Sequence, residues 1–380
     1  MKRCPVLLIC LISTLSTAAV KAQDADDLIR ATSTAPVAYV YISLSKGIDA
    51  FAAATDGKLT RVPGSPFAGD VVWMAANGKY LFGDTANGLA IDSFAIASGG
   101  ALKQVAELRY PASGLFVLDH TGATLYQWVY NPGDSTYEAF DIEKSTGELR
   151  HHSTTVVGPD VYATPSFIGN NVFSYYATTY HWAPYIFSFK RETDGSLLEL
   201  SIGGPYPEPK PGTGDVYTFT QAVGDPANHV AIAVQAVNGE PFGTNVGPPQ
   251  LATYTVSPTG VLSTASNFAN MPATEVGYIY DINMSPTGKL LAVGGPSGLQ
   301  VFHFNGASPI TKYTGLIARD QVVQMFWDND NHLYALCEPA NKLFAFTVTP
   351  TSVTEAPGSP YSIAGVPQNL VVLPTTQKTH

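Results

Sequence analysis

The chain has 380 residues, 20 Lys and Arg against 30 Asp and Glu, a formal charge of −10, and only 13% charged residues. An acidic balance disfavours nucleic acid as a partner, because phosphate binding needs a basic surface. The 34 Gly and 28 Pro suit many short strands joined by tight turns, in a chain long enough to bury a large core.

The first 22 residues carry Lys2 and Arg3, an apolar run from Val6 to Leu15, and Val20-Lys21-Ala22. This pattern reads as a secretory signal peptide cleaved after Ala22, since the run is shorter than the roughly 20 residues a membrane span needs. The expected location is secreted or periplasmic, with no transmembrane segment after cleavage. Removing Lys2, Arg3 and Lys21 leaves 17 basic against 30 acidic groups, a formal charge of −13. Cys4 and Cys10 leave too, so Cys337 stands alone and no intrachain disulfide can form. Residues 23–37 read as a flexible leader without periodicity.

From residue 38 a phrase repeats seven times: an apolar residue, two variable positions, an aromatic, another variable position and usually a further apolar residue. The aromatics are Phe51, Phe94, Phe140, Phe189, Tyr254, Phe302 and Phe346, 43 to 49 residues apart except for the 65 between Phe189 and Tyr254. Such a period marks a supersecondary unit repeated around an axis. Each repeat reads as four strands, a to d, with the aromatic on strand c. The second repeat uses residues 70–75, 79–83, 89–96 and 101–108, the third 114–118, 124–129, 137–142 and 148–152, and the fourth 161–168, 171–176, 185–190 and 196–201. The fifth takes 216–223, 229–236, 251–256 and 261–267, the sixth 277–284, 289–293, 299–304 and 310–313, and the seventh 321–327, 332–337, 343–348 and 352–355. Hairpin turns such as Asp56-Gly57 and Asp194-Gly195 support the register.

The first repeat lacks strand a, and residues 367–373 have the pattern of one. We therefore expect an all-β, seven-bladed β-propeller of four-stranded blades over residues 38–373. A C-terminal strand a would join the N-terminal strands b, c and d, close the ring and leave a tail at 374–380. Closure removes edges that would otherwise invite aggregation.

Three segments add a resemblance: Gly57-Lys58-Leu59-Thr60-Arg61-Val62-Pro63-Gly64-Ser65-Pro66-Phe67, its echo Ala356-Pro357-Gly358-Ser359-Pro360-Tyr361, and Ser285-Pro286-Thr287-Gly288-Lys289-Leu290-Leu291-Ala292-Val293. They resemble the lactonase-family seven-bladed propellers, over nearly the whole mature chain. That family includes phosphogluconolactonase-like and muconate-cycloisomerase-like enzymes, and secreted members similar to YVTN-type propellers. Family enzymes often have a Pro-His pair entering strand a. This chain has none, and Gly69-Asp70, Ser113-Gly114, Phe219-Thr220, Tyr280-Asp281 and Pro367-Gln368 fall there instead. The resemblance therefore implies the fold and assigns no catalytic residue.

Candidate chemistry clusters on the face shared by the d-to-a and b-to-c connections. Asp70, Asp160, Asp215, Glu275 and Asp320 lie at or just before strand a, where they could ring the mouth and collect a cation such as calcium or simply favour turns. No other cofactor is evident. Tyr278 and Tyr280 should share one face of a strand, with Asp281 on the other. Arg319-Asp320 suits either an anionic ligand or a local ion pair.

The fourth repeat places Tyr175, Tyr176, Tyr180, His181, Trp182 and Tyr185 within eleven residues, read as an aromatic loop able to stack on sugars. Long segments at 131–136, 203–214 and 238–250 should cap the same side, packing on one another or on a ligand. No histidine has metal-ligand spacing, and no Gly-x-Ser-x-Gly, Walker, CxxC or HExxH motif occurs.

The expected function is a monomeric binding propeller that uses this face over blades three to five for a small molecule, a glycan or an envelope protein. The rival is a lactone hydrolase in which Asp70 or Asp281 activates water and a channel donor holds the oxyanion.

Overall fold

A computed structural model describes residues 35–375 apart from 132–133, 159–162, 181–182 and 240–242. The expected signal peptide, almost all of the leader, and residues 376–380 lie outside the described residues. All strands fall within the unit Pro36–His380. Among the described residues no helix is long and apolar enough to cross a membrane.

Seven antiparallel sheets follow in chain order, each with a four-strand path. The innermost strands of blades one to seven are Pro367–Pro374, Val71–Ala76, Phe116–Leu118, Ser166–Phe167, Asp215–Gly224, Asp281–Met284 and Gln324–Trp327. Ring closure is by the chain ends: Ala38–Leu44 pairs with Ile48–Ala53 on one side and with Pro367–Pro374 on the other, from Ala38 opposite Pro374 to Ser43 opposite Asn369. The chain is a seven-bladed β-propeller.

The repeated aromatics all lie on third strands and are at most 3% exposed. Burying each stabilises by about 1.5–3 kcal/mol, and the buried clusters they join span neighbouring blades. A second repeat is polar. Tight a-to-b turns leave amide groups that need acceptors, and side chains supply them: Asn77 for Lys79 and Tyr80, Asp119 for Ala123 and Thr124, Asn170 for Val172 and Phe173, Asp225 for Ala227 and His229, Ser285 for Leu290, and Asp328 for Asp330 and His332.

The Gly-Ser-Pro segment behind the family resemblance also has a structural reason. Ser65 Oγ accepts the Ala50 amide at 2.8 Å, and Ser359 Oγ in the echo accepts the Ala345 amide at 3.1 Å. Ser266 and Thr314 do the same for Thr253 and Val301 in blades five and six. Ser65 also donates to the buried Asp49, which pairs with Arg61 at 2.5 Å.

Three expectations on strand limits are corrected. Innermost strands are shorter than the sequence suggests, starting at Ser166, Asp281 and Gln324, because a strand paired on one edge only is easily ended; Gly277, at φ +77°, breaks the sixth. The outer strands Leu149–Gly158 and Ser308–Ala318 run longer than expected, carried by bulges. The supposed aromatic loop of blade four is largely a hairpin, with Phe173–Tyr180 paired to Ala183–Arg191.

Candidate functional site

An innermost strand turns one edge to the channel, so alternate amides there have no strand partner. In three successive blades the preceding blade provides one. The Met325 amide donates to Asp281 Oδ2 at 2.7 Å, the Leu370 amide to Gln324 Oε1 at 2.6 Å, and the Met74 amide to Asn369 Oδ1 at 2.9 Å. Asn369 Nδ2 also donates to Gln324 Oε1 at 3.2 Å, tying two of these acceptors together. Gln221 of blade five reaches the Tyr280 carbonyl at 3.2 Å. A polar belt thus runs along the channel wall from blade five through six, seven and one to blade two.

Asp281 is the carboxylate of that belt. Its side chain is only partly closed to water, yet protein surrounds it closely, as expected of a group on an innermost strand. Burial pushes its carboxyl up to about 7, against the opposing hydrogen bonds from the Met325 and Ile282 amides. It can therefore hold or release a proton near neutral pH. Just before it, Tyr278 and Tyr280 are 60% and 37% exposed with ring centroids 5.8 Å apart. The two rings lie together, but both residues precede the strand, which starts at Asp281, so the alternation expected for one strand does not apply to them.

The other expected residues are not gathered there. Asp70 is exposed just before its strand, Asp215 is buried, Glu275 pairs with Lys312, and Asp320 pairs with Lys342 at 2.9 Å. The local Arg319-Asp320 pair is thus replaced by Asp320-Lys342, and Arg319 is exposed. With two acids drawn to cations on outer and third strands, the described carboxylates do not form a ring. No three His, Cys, Asp or Glu among the described residues come together to hold a metal ion. Gln368 is exposed beside the belt residue Asn369.

In the blade-four cluster, Tyr175 and Tyr176 are core residues. Tyr175 donates to the Gly260 carbonyl at 2.9 Å, and Tyr176 packs on Phe187 with ring centroids 6.1 Å apart. Tyr180 ends the strand Phe173–Tyr180. Asp160, His181 and Trp182 lie outside the described residues. The described parts of the long segments pack on their surroundings: Tyr206 donates to the Pro184 carbonyl at 3.1 Å, the Phe268 amide to the Pro209 carbonyl at 3.3 Å, and Gln235 to the Gly247 carbonyl at 3.1 Å.

A cavity of about 350 Å³ lies at the opposite end of the channel, among the a-to-b turns, with Asn77, Asp119, His120, Pro286, Asn329 and Pro374 in its lining. On blade six its lining includes Pro286, past the far end of the strand that Asp281 begins, and its Asp119 is already paired with Arg191 at 3.0 Å. The belt is the better candidate, because there a proton-holding carboxylate directly follows two exposed rings in the chain. The belt residues Gln324 and Asn369 were missed in the sequence. Their signal was a polar residue directly before an apolar one in successive inner strands: Asp281-Ile282, Gln324-Met325 and Asn369-Leu370.

Solved structures share this ring. A protein from Lactobacillus plantarum matches with a TM-score of 0.62 at 14% identity, over 88% of this chain and 99% of that one. The periplasmic gluconolactonase PpgL of Pseudomonas aeruginosa matches with 0.54 at 15% identity, over 89% and 99%. AztD of Citrobacter koseri gives 0.53 at 12%, over 90% and 100%. At these identities the likeness is one of fold. No protein-family model matches the sequence, and no curated protein sequence does. The chain is thus a seven-bladed propeller whose fold neighbours include a lactonase, in keeping with the family resemblance of its turns.

Proposed function

We propose that this is an exported binding propeller that holds a small polyhydroxylated ring, a sugar or sugar lactone, at the channel mouth. The observation that supports this most is the exposed Tyr278-Tyr280 pair beside the enclosed Asp281. Aromatic faces suit the apolar face of a sugar ring, and Asp281 with the Gln324 amide suits its hydroxyls. The signal-like N terminus and the periplasmic gluconolactonase among the fold neighbours support a location outside the cytoplasm.

Lactone hydrolysis is the second reading, favoured by the carboxyl of Asp281 being pushed up to about 7. In that reading Asp281 takes a proton from water, the hydroxide attacks the lactone carbonyl, the ring C–O bond breaks, and Asp281 returns the proton to the leaving alkoxide to give a hydroxy acid. Asp70, exposed and unenclosed, is the weaker base.

The mature protein should be titrated calorimetrically with glucono-1,5-lactone, gluconate and cellobiose, with and without calcium, while lactone hydrolysis is followed in parallel. Binding weakened in Tyr278→Ala and Asp281→Asn without turnover is the expected result. Turnover lost in Asp281→Asn selects the hydrolase. Binding untouched by both changes but lost in Trp182→Ala moves the site to the face over blades three to five, and calcium-dependent binding would restore a role for the mouth carboxylates.

A further inference from the structure

Far from the channel, the outermost strand of blade four, Leu197–Ile202, ends its sheet. Apart from the Leu197 carbonyl, which accepts from Thr155 Oγ1 of blade three at 2.8 Å, its outer row of N–H and C=O groups has no strand partner among the described residues, and proteins usually guard such edges by short length, Lys or Pro. The other outer strands of this molecule follow that rule. Leu59–Arg61, Leu262–Ser263 and Ser352–Glu355 are short. Leu102–Arg109 carries Lys103 and Arg109, Leu149–Gly158 carries Arg150, and Ser308–Ala318 carries Lys312. Leu197–Ile202 has neither a basic residue nor a proline.

Its exposed surface is apolar. Leu198 and Ile202 are 51% and 52% exposed, Leu200 is 39%, and Val261 of blade five is 65%. A groove of about 440 Å³ runs here, with Leu200, Ile202, Pro205, Val261 and Leu262 in its wall. The one charge on the strand is Glu199, half-buried and pushed up by burial, with no hydrogen bond or ion pair among the described residues. An edge that is largely apolar, lacks Lys, Arg and Pro, and holds a carboxylate without a cation fits a partner that brings the cation.

We propose that this edge takes an extended segment of another protein as a fifth strand, with apolar side chains flanking one Lys or Arg set opposite Glu199. Strand addition uses main-chain hydrogen bonds for affinity and side-chain pairing for choice of partner. A second copy of this chain is the poorer occupant. Pairing the strand with itself brings two Glu199 carboxylates close with no cation between them, and the formal charge of −10 opposes self-association while favouring a basic partner.

The test uses two synthetic peptides of alternating Val and Thr, one with a central Lys and one with a central Glu, in fluorescence anisotropy titrations of the full chain. Wild type should prefer the Lys peptide, and Glu199→Lys should reverse that preference, each by about tenfold. Leu198→Lys, which guards the edge, should weaken both peptides. Glu199→Gln removes the charge with little change of shape, so it should abolish the preference and supplies the same reading should Glu199→Lys fail to fold. Equal binding of the two peptides by wild type, absence of binding, or a preference unchanged in either Glu199 variant overturns the proposal. So does a wild-type dimer in sedimentation that Leu198→Lys dissolves, which would make the occupant a second copy.

Discussion

Asp281 serves the fold by capping the Met325 amide and weakens it by carrying charge into a site closely surrounded by protein. An unfolded Asp loses its proton near pH 4, whereas burial delays that loss in Asp281 to about 7. Between these values the folded chain holds the extra proton, so this group's contribution to stability falls as pH rises from about 4 to about 7 and stays lower above. Asp281→Asn keeps an acceptor for Met325 and removes the charge. The variant should match wild type at about pH 4 and exceed it at about pH 8 by on the order of 1–2 kcal/mol, allowing for water in the channel. Urea titrations at both pH values check this, and an equal difference at both would refute it. Tyr254 makes a simpler case, because it stands where the other six repeats have Phe. Its hydroxyl is buried without a hydrogen-bond partner among the described residues, which costs about 1–3 kcal/mol. Tyr254→Phe should therefore raise the thermal midpoint; a fall would show that the hydroxyl has a partner the strands do not supply.

Where the d-to-a connection enters blade three, Gly114 is fixed by a close approach. A Cβ there would lie 1.5 Å from the Trp128 carbonyl oxygen, and its amide already donates to the buried Asp84 at 3.2 Å. Backbone cannot yield that far, so Gly114→Ala should cost more than about 3 kcal/mol, while Gly99→Ala, with nothing within 4 Å, should leave the midpoint nearly unchanged. Circular dichroism melts of the two variants compare them directly. Legibility in the sequence followed how each strand is buried. Third strands read clearly, because both faces pack against neighbouring blades and the aromatic returns at a steady spacing. Innermost strands read poorly, since pairing on one edge lets a single residue such as Gly277 end them. In blade four, Tyr175 packs in the cluster shared with blade five and Tyr176 in the one shared with blade three. With both faces buried the alternation is lost, and the sequence reading ends the strand at residue 176 where it runs on to Tyr180. The belt escaped notice for another reason: its members share a place in the blade but differ in chemistry, so only alignment of the inner strands brings Asp281, Gln324 and Asn369 together.

At the scale of the ring, stability depends on a strand supplied by the far end of the chain. Pro367–Pro374 pairs with Ala38–Leu44 and buries Leu370, Val371, Val372 and Leu373. At about 1.5–3 kcal/mol each these four contribute on the order of 6–12 kcal/mol, comparable to the roughly 5–15 kcal/mol by which a whole domain is stable. The same strand supplies Asn369 for Met74 and the Leu370 amide for Gln324, so its loss also breaks the belt at both neighbours. A chain ending at Gly365 would open the edge of Ala38–Leu44, a fully buried and apolar strand, to pairing between molecules. It should aggregate and lose its cooperative melt, and a peptide spanning residues 366–375 added during refolding should restore monomer. Light scattering and calorimetry on the truncated chain, with and without the peptide, decide the matter. Should the truncated chain stay monomeric and melt like wild type, the closing strand would be dispensable and the other six blades would have to hold the ring unaided. Recovery by the peptide, together with renewed ligand binding, would place the channel site under the control of closure, because the belt that carries Asp281 passes through the returned strand.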